Sequence, residues 1–179
     1  MDDYAVQTKP STVRMERLLP GPIEKVWAYL TESEKRGSWL AFGNMDLRVG
    51  GKVHLEFNHD HSPVKEEVPE KYKDVCETGA TMEGTILKVD APHLLSYTWS
   101  EGDGAASEVT FELREAGEKV HMTLTHEKLP NRQILIGVSA GWHAHIAIMI
   151  DQLEGKTPRP FWSTHMELET EYDKRMPAA

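Results

Sequence analysis

Five stretches in the middle of the chain alternate apolar and polar residues, which is the pattern of half-buried β-strands. They are residues 45–58, 81–90, 94–100, 107–116 and 118–129. In the first of them, Val53, Leu55 and Phe57 alternate with polar residues, and the preceding Gly50-Gly51 predicts a bulge or a tight turn. The joints "APH", "EGDGA" and "EAGEK" are turn-like. Consecutive strands are therefore predicted to pair as antiparallel hairpins.

The two ends of the chain carry different patterns. Residues 11–21 alternate weakly and predict a first strand at the edge of the sheet. Residues 22–31 begin with proline, which suits the first position of a helix, and their apolar residues recur at helical spacing. A second short helix is predicted over 33–40 and a long helix from about 137 to 154. This order indicates an α+β fold with the long helix on one sheet face and a concave interior that suits a small ligand.

The long predicted helix has one apolar face, because each residue turns a helix by about 100°. Relative to Trp142, which is either core or a binding platform, this face contains Val138, Ile146, Met149 and Leu153. The far face carries Ala144, Ala147, Asp151 and Glu154. His145 lies at the edge of the apolar face, either hydrogen-bonded to a core neighbour or turned toward a ligand. His143 points about 200° away from His145, so the two cannot chelate one metal ion, and His143 is expected in solvent.

The composition narrows the classes of function. The chain has 179 residues, enough for one domain, and its net charge of −9 disfavours binding to nucleic acid or to anionic membrane surfaces. No apolar run approaches the roughly 20 residues that span a bilayer, and the first residues lack the regions of a signal peptide. A single cysteine, Cys76, excludes an intrachain disulfide framework and favours a reducing, cytoplasmic location.

Several stretches in a fixed order resemble a known superfamily. They are "RLLPGPIEKVWAYLTESEKRGSWL", "MDLRVGGKVHLEF", "EGTILKVDAPHLLSYTW", "EVTFELREAGEKVHMTLTH" and "GWHAHIAIMIDQLEG". Over roughly residues 12–155 they resemble the START-like (SRPBCC) superfamily, and within it the bacterial homologues of the activator of heat-shock protein 90 ATPase. The features that carry the likeness are the Pro-x-x-x-Val-Trp of 22–27, Gly50-Gly51, the segment 90–95 with Trp99, and Gly141-Trp142.

The resemblance implies a helix-grip fold. In such a fold a bent antiparallel β-sheet wraps around a long C-terminal helix, with two short helices after the first strand and a cavity between sheet and helix. The resemblance implies no particular activity, because members of the superfamily bind lipids, hormones or polyketides and a few are enzymes. The family has no shared catalytic motif that transfers to residues of this chain.

Two segments depart from the family pattern. We treat the chain as one domain with a core at about 12–155, an insertion at 58–80 and a C-terminal extension at 156–179. The insertion contains residue types that bind zinc, namely His59, Asp60, His61 and Cys76. Their spacing fits no established zinc pattern, so we predict no metal. The insertion is then either a charged, mobile loop or a lid over the cavity.

The extension resumes a helical pattern after Pro158 and Pro160, which interrupt it. Its apolar row contains Phe161, His165, Leu168 and Tyr172, with Trp162 and Met166 on the adjoining row. An isolated helix this short is marginal in water. We therefore predict an amphipathic helix that docks either on the chain's own surface, namely its sheet, or on a second subunit in a homodimer interface.

Side chains capable of acid–base chemistry lie mostly on the predicted solvent face of the strands. They are His54, Glu56, Glu83, Glu112 and His121. The sequence contains no nucleophile elbow, P-loop or dinucleotide fingerprint. No catalytic residue and no cofactor is therefore predicted, Cys76 is interpreted as an incidental thiol, and enzymatic activity stays open.

These observations predict a protein that binds a small hydrophobic molecule between the sheet and the C-terminal helix. The predicted ligand-binding residues are Phe57, Tyr97, Trp99, Phe111, Met122, Trp142, His145 and Met149. One alternative is an interaction protein that regulates a chaperone or another client through an exposed surface patch. The other is a cyclase- or hydrolase-like enzyme for a hydrophobic substrate, whose signature is a buried histidine or carboxylate with a perturbed pKa.

Overall fold

The described residues of the structure, a computed structural model, are 3–57, 59–74, 80–100 and 106–176. They form an eight-stranded antiparallel sheet in the order β1-β2-β8-β7-β6-β5-β4-β3. The strands are β1 (Val6–Lys9), β2 (Thr12–Pro20), β3 (Ala41–Phe42), β4 (Lys52–Phe57), β5 (Thr81–Asp90), β6 (Leu94–Trp99), β7 (Ser107–Ala116) and β8 (Lys119–Glu127). The predicted hairpin pairing of consecutive strands from β4 to β8 is confirmed.

The helices complete the helix-grip arrangement predicted from the sequence. They are α1 (Ile23–Thr31) and α2 (Ser33–Gly37) after β2, the long α3 (Arg132–Leu153) after β8, and α4 (Phe161–Arg175) in the extension. One 3-10 turn, Glu70–Tyr72, lies in the insertion. Helix α3 begins earlier than predicted, because the side chain of Asn131 caps it by accepting a hydrogen bond from the Ile134 amide at 2.9 Å.

The core lies between the sheet and α3. Leu95, Phe111 and Met122 point inward from β6, β7 and β8, and α3 contributes Trp142, Ile146 and Met149. The pairing of β5 with β6 shifts register between Ile86 and Lys88, a bulge that bends the strand. Nearby, a Cβ on Gly84 would lie 2.4 Å from the carbonyl oxygen of Thr98, so glycine is required at this close approach.

Two predictions about the first quarter of the chain were wrong, and one strand there was not predicted. The first predicted strand, β2, is not an edge strand, because β1 pairs on its outer side. Strand β1 escaped prediction because all four of its residues are exposed, which leaves no alternation to detect. The second short helix ends at Gly37 rather than 40. There the buried guanidinium of Arg36 donates to the carbonyls of Thr31 and Ala41, which turns the chain into β3.

The insertion between β4 and β5 packs against the extension that follows α3. Helix α4 lies along α3, and its side chains Phe161, Trp162, His165, Leu168 and Tyr172 are buried. The extension therefore docks on the chain's own long helix, and not on the sheet. This covers the face of α3 opposite the sheet, where Ala144 and Asp151 are buried.

Candidate functional site

A small chamber lies between α3 and the strands β4 and β6, and we name it the inner chamber. Its volume is about 120 Å³. It is lined by Leu40, Phe57, Trp99, Gly137, Val138, Gly141, Trp142 and His145. Apart from His145, these residues present mainly carbon surface, and the indole N–H of Trp142 is already bonded to His126, so the chamber suits an apolar group.

Two glycines in the middle of α3 keep the inner chamber open. Gly137 and Gly141 are one turn apart, and a Cβ added at either meets no atom of the described residues within 4 Å. Glycine in a helix interior is less favourable than alanine by about 1 kcal/mol. A Cβ at these two positions would therefore clash with none of the described residues. The lack of a side chain leaves space in the inner chamber.

The structure divides the predicted ligand-binding residues into two groups. Phe57, Trp99, Trp142 and His145 line the inner chamber. The other four, Tyr97, Phe111, Met122 and Met149, do not line it and are almost completely buried in the core. They support the walls: the ring of Phe111 packs edge-on against Trp142, with a centroid distance of 5.5 Å. Strand alternation for the first three and helical spacing for Met149 correctly indicated the inward face, but neither pattern distinguishes a chamber wall from packed core.

Four further residues line the inner chamber but were not predicted as site residues from the sequence: Leu40, Gly137, Val138 and Gly141. A signal was present for the glycines, because each interrupts an otherwise apolar helical pattern at some cost in helix stability. Leu40 had no such signal, since the loop after α2 reaches the chamber only through the tertiary fold. Its side chain is 1% exposed.

His145 is hydrogen-bonded to a core neighbour and also lines the inner chamber, so both roles considered from the sequence apply to it. It is buried, and its Nδ1 lies 2.8 Å from the carbonyl oxygen of Trp39. A carbonyl only accepts hydrogen bonds, so Nδ1 carries the proton. Burial lowers the pKa of His145 well below its ordinary value, so the ring is neutral and Nε2 holds a lone pair. Nε2 bonds to none of the described residues, so His145, which lines the inner chamber, keeps one hydrogen-bond acceptor unused.

A second buried histidine, His126, belongs to a closed hydrogen-bond chain. The indole N–H of Trp142 donates to His126 Nδ1 at 3.0 Å, so the proton of this neutral ring is on Nε2. That Nε2 then donates to Ser107 Oγ at 2.7 Å, and the Ser107 hydroxyl donates to the Trp99 carbonyl at 3.0 Å. Burial lowers the pKa of His126 to about 3. His126 therefore cannot accept a proton from Ser107, and the pair is structural and not a nucleophile with its base.

A second chamber of about 340 Å³, which we name the outer chamber, lies between the insertion and the start of α4. It is lined by Phe57, His59, Asp60, Ser62, Val64, Lys65, Glu66, Val68, Ala80, Pro160, Phe161 and Trp162. Four ring residues that contact one another, Phe57, His59, Phe161 and Trp162, form the aromatic end of this chamber, and charged side chains also line it. The ammonium of Lys65 binds both carboxylate oxygens of Asp60 at 2.9 Å.

The insertion is anchored to α4 by polar contacts. Glu66 accepts hydrogen bonds from the backbone N–H groups of Trp162 at 2.8 Å and Ser163 at 3.0 Å. The first turn of α4 has no side-chain cap of its own, so Glu66 caps it from a distant segment. At the other end of the described segment, Tyr72 and Lys71 both bond to the carboxylate of Glu169. The described part of the insertion thus covers the site and is not a free loop.

The far face of α3 is less exposed than the sequence suggested. His143, expected in solvent, is half-buried, and its Nδ1 lies 3.0 Å from the hydroxyl of Tyr172. The same hydroxyl accepts a hydrogen bond from the Ala5 amide at 2.8 Å. Asp151 is buried against Arg159, whose hydrogen bonds lower the pKa of the carboxyl although burial opposes this. The extension makes these contacts, which no local pattern in α3 could indicate.

The other residues considered for metal binding or acid–base chemistry do not form a second site in the described residues. Across residues 3–57, 59–74, 80–100 and 106–176 no group of three or more metal-ligating side chains has a geometry that would hold a metal ion. Cys76 lies outside the described residues. His54 lies on the exposed face of the sheet between Glu83 and Glu56, whose hydrogen bonds raise its pKa. It faces solvent, as predicted, and away from both chambers.

Comparison with known proteins decides the family. Residues 20–154 match the family described as "Activator of Hsp90 ATPase homolog 1-like protein". The chain belongs to this family. The match ends just after α3, so the extension lies beyond the matched residues. No protein of curated function matches the chain.

Solved structures of similar proteins agree with this membership. The solution NMR structure of the BPP1335 protein from Bordetella parapertussis is 40% identical, with a TM-score of 0.81 over 99% of this chain and 92% of that one. CalU16 from Micromonospora echinospora is 20% identical, with a TM-score of 0.66 over 91% of this chain and 86% of that one. PFC0360w from Plasmodium falciparum, described as an HSP90 activator, is 19% identical, with a TM-score of 0.60 over 83% and 99%. The last two share the fold.

One helix of the described residues resembles a membrane span in length and composition, which was not expected from the sequence. Helix α3 is long and apolar enough to cross a bilayer, but 56% of its apolar window is buried inside the fold. Its apolarity is accounted for by packing against the sheet.

Proposed function

We propose that this protein binds a small, mainly apolar molecule that carries a hydrogen-bond donor, with the apolar part in the inner chamber. The observation that carries the proposal is the pair Gly137 and Gly141, which leave space where alanine would favour the helix. The donor follows from His145, whose Nε2 is a lone-pair acceptor at the wall of that space.

The size of the inner chamber limits the group that it accepts. A cavity of about 150 Å³ with apolar walls holds one benzene ring. At about 120 Å³ the inner chamber accommodates a group no larger than one small ring. Trp99 and Trp142, with ring centroids 5.0 Å apart, supply aromatic walls against which such a ring packs. A phenol-like group satisfies both the walls and His145.

Two experiments test this proposal. Native mass spectrometry of protein purified without refolding reveals any copurified small molecule. Titration with 4-methylphenol should then change the tryptophan emission and raise the melting temperature of the unoccupied protein. Gly141→Leu fills the inner chamber and should abolish both effects, whereas Gln133→Leu, at an exposed position of the same helix, should leave them intact. Equal responses from the two variants would refute binding in the inner chamber.

A cavity enzyme is the first alternative, because buried histidines with lowered pKa values are the signature expected of one. The polarity of the hydrogen-bond chain argues against His126 as a base. His145 is positioned at the chamber, but a strongly lowered pKa makes it a weak base at neutral pH. An acceptor that orients a ligand is the role that better fits its chemistry.

Regulation of a chaperone is the second alternative. The family description and the Plasmodium falciparum protein described as an HSP90 activator support it. The test is the ATPase rate of purified Hsp90 with and without this protein. Stimulation that persists in Gly141→Leu would favour a regulator whose surface, and not its chamber, is functional.

The oligomeric state and the location complete the proposal. The apolar row of α4 is buried within its own chain, so a homodimer through the extension would have to use other residues, such as the partly exposed Met166. We therefore expect a monomer of 20.3 kDa in light scattering, with a dimer as the contrary result. A cytoplasmic location is proposed from the single cysteine of the sequence.

A further inference from the structure

We propose that the inner and outer chambers are two halves of one binding site, and that the ligand is an uncharged, elongated molecule. Its hydroxylated ring occupies the inner chamber, and a flexible arm passes into the outer chamber beneath the insertion. This inference rests on the proposed function and names the class of ligand. It also assigns a role to the insertion and to the extension, which the minimal fold lacks.

The wall between the chambers is one ring thick. Phe57 lines both chambers. Beside it, His59 lines the outer chamber and His145 the inner one, with their ring centroids 5.6 Å apart. The ring of His59 also lies 4.5 Å from Phe161 and 4.8 Å from Trp162. The side chains of Phe57, His59 and His145 meet at this wall, so rotation of Phe57 and His59 would join the two chambers.

Volume argues against the inner chamber as a complete site for a ligand of ordinary size. Sites for small organic ligands usually measure about 300 to 1,000 Å³. The inner chamber, at about 120 Å³, is well below this range, while the outer chamber reaches about 340 Å³. The inner chamber supplies aromatic walls and the acceptor of His145, and the outer chamber supplies most of the volume. A ligand of ordinary size uses both only if it is elongated.

The charges around the outer chamber favour an uncharged arm. The ammonium of Lys65 is neutralised by both oxygens of Asp60. The carboxylate of Glu66 is held by two backbone N–H groups at the positive end of α4. A charged arm would have to compete with one of these pairings, whereas an ether or alkyl arm packs against Val64, Val68 and the aromatic end without disturbing them.

Phe57 and His59 act as the gate in this arrangement. Phe57 is the last residue of β4 and is packed edge-on against Trp99 at 5.6 Å. His59 belongs to the insertion, which Glu66 ties to α4. The gate is therefore positioned jointly by the sheet, the insertion and the extension, and it closes over the ring of a bound ligand.

The test uses two matched probes in calorimetric titrations, 4-methylphenol as the short one and 4-(hexyloxy)phenol as the long one. The wild-type protein should bind the long probe at least tenfold more tightly. Val64→Trp places a large ring at the outer chamber and should reduce affinity for the long probe at least tenfold while leaving the short probe unchanged. Val49→Trp adds the same side chain at a position that is 69% exposed and lines neither chamber, and should alter neither affinity.

A second variant tests the gate without filling a chamber. Phe57→Ala should increase the association rate of the long probe severalfold in stopped-flow fluorescence. Thermal melts confirm that each variant is folded.

Each result has a defined meaning. Equal wild-type affinity for both probes, or a long probe that is insensitive to Val64→Trp, would overturn the two-chamber site and leave binding in the inner chamber standing. Absence of binding by both probes, in wild type and in Gly141→Leu alike, would refute the proposed function itself.

Discussion

At the scale of single residues, the protonation of two buried histidines determines what the interior can do. Their partners fix the tautomers: a carbonyl beside His145 places its proton on Nδ1, and an indole N–H beside His126 places its proton on Nε2. Both ring nitrogens of His126 are therefore hydrogen-bonded, whereas His145 keeps one unused acceptor and lines the inner chamber. The same residue type has a structural role in one position and a recognition role in the other.

Replacing His145 should change selectivity and not merely affinity. We expect His145→Phe to shift the ratio of Kd values for 4-methylphenol and 1,4-dimethylbenzene by about fivefold, which corresponds to a net hydrogen-bond contribution of about 1 kcal/mol. The two ligands differ only in the donor, so the ratio is independent of any general loss of stability. An unchanged ratio would show that Nε2 does not contact the ligand.

The glycines of α3 provide a second prediction at this scale. Gly141→Ala should increase the stability of the unoccupied protein by about 1 kcal/mol, which raises the melting temperature by about 2–4 °C. The same change should weaken 4-methylphenol binding. Gly155→Ala is the control, because its φ of +70° is strained for alanine and the change should instead lower the melting temperature. A lower melting temperature for Gly141→Ala would contradict the idea that this glycine keeps space at the expense of stability.

At the scale of elements, the insertion and the extension are a single structural unit. Each depends on the other: α4 has no side-chain cap within its own segment, and the regular structure of the described insertion is limited to a 3-10 turn at Glu70–Tyr72 followed by two helical residues. Glu66 supplies the cap, and Tyr72 and Lys71 meet Glu169 two turns further along α4. The unit covers α3 on the face that the sheet leaves free.

Removal of the distant cap should destabilise this unit. Glu66→Ala leaves two N–H groups of α4 without their acceptor, and we expect a loss of about 1–2 kcal/mol in the free energy of unfolding. Glu67→Ala, at the neighbouring exposed position, should change it by less than about 0.5 kcal/mol. Urea denaturation of both variants makes the comparison. Equal losses would mean that the cap seen for α4 does not contribute.

Truncation after Gly155 tests the docking of the whole extension. It exposes Ala144 and Ile148, both fully buried in the complete chain, and removes the partners of His143 and Asp151. We expect a large fall in melting temperature with no change of oligomeric state in light scattering. Truncation after Met176 keeps α4 whole and should behave as the complete chain. A dimer that becomes a monomer on truncation would instead support the homodimer interface.

At the scale of the whole molecule, several buried neutral histidines make stability depend on pH. Burial lowers the pKa of His59 to about 4 and that of His126 to about 3, and it also lowers the pKa of His145 and His165. Below about pH 6.5 the unfolded chain protonates these rings while the folded chain does not. Stability is therefore fully present above pH 6.5 and is lost as the pH falls toward the folded pKa values.

We expect the free energy of unfolding to decrease between pH 6.5 and 5 by up to about 1.4 kcal/mol per pH unit for each such histidine. His59→Gln should make this decrease less steep. His54→Gln should not, because its exposed ring has a raised pKa and contributes with the opposite sign. Urea denaturation at several pH values provides the measurement, and a pH-independent stability would contradict the neutral, buried state of these rings.

Local patterns in the sequence were sufficient to predict most of the strands and helices and their order. Alternation located β4 to β8, helical spacing located α1, α3 and α4, and turn residues indicated antiparallel hairpins. These patterns are local, because a strand or helix records which of its own faces is buried within a few residues. The same reasoning identified Trp99, Trp142 and His145 as inward-facing. The exposed strand β1 carried no such pattern and was missed.

Which inward-facing residues border empty space and which are packed could be seen only in the folded molecule. Phe111 and Trp142 are both apolar and inward-facing, yet only Trp142 borders the inner chamber. The structure alone also brought Glu66 to Trp162 and Tyr72 to Glu169, pairs that are nearly a hundred residues apart. Periodicity reports that a face is covered, but it does not report what covers it. The identity of the neighbour, and with it the shape of the site, depends on long-range packing.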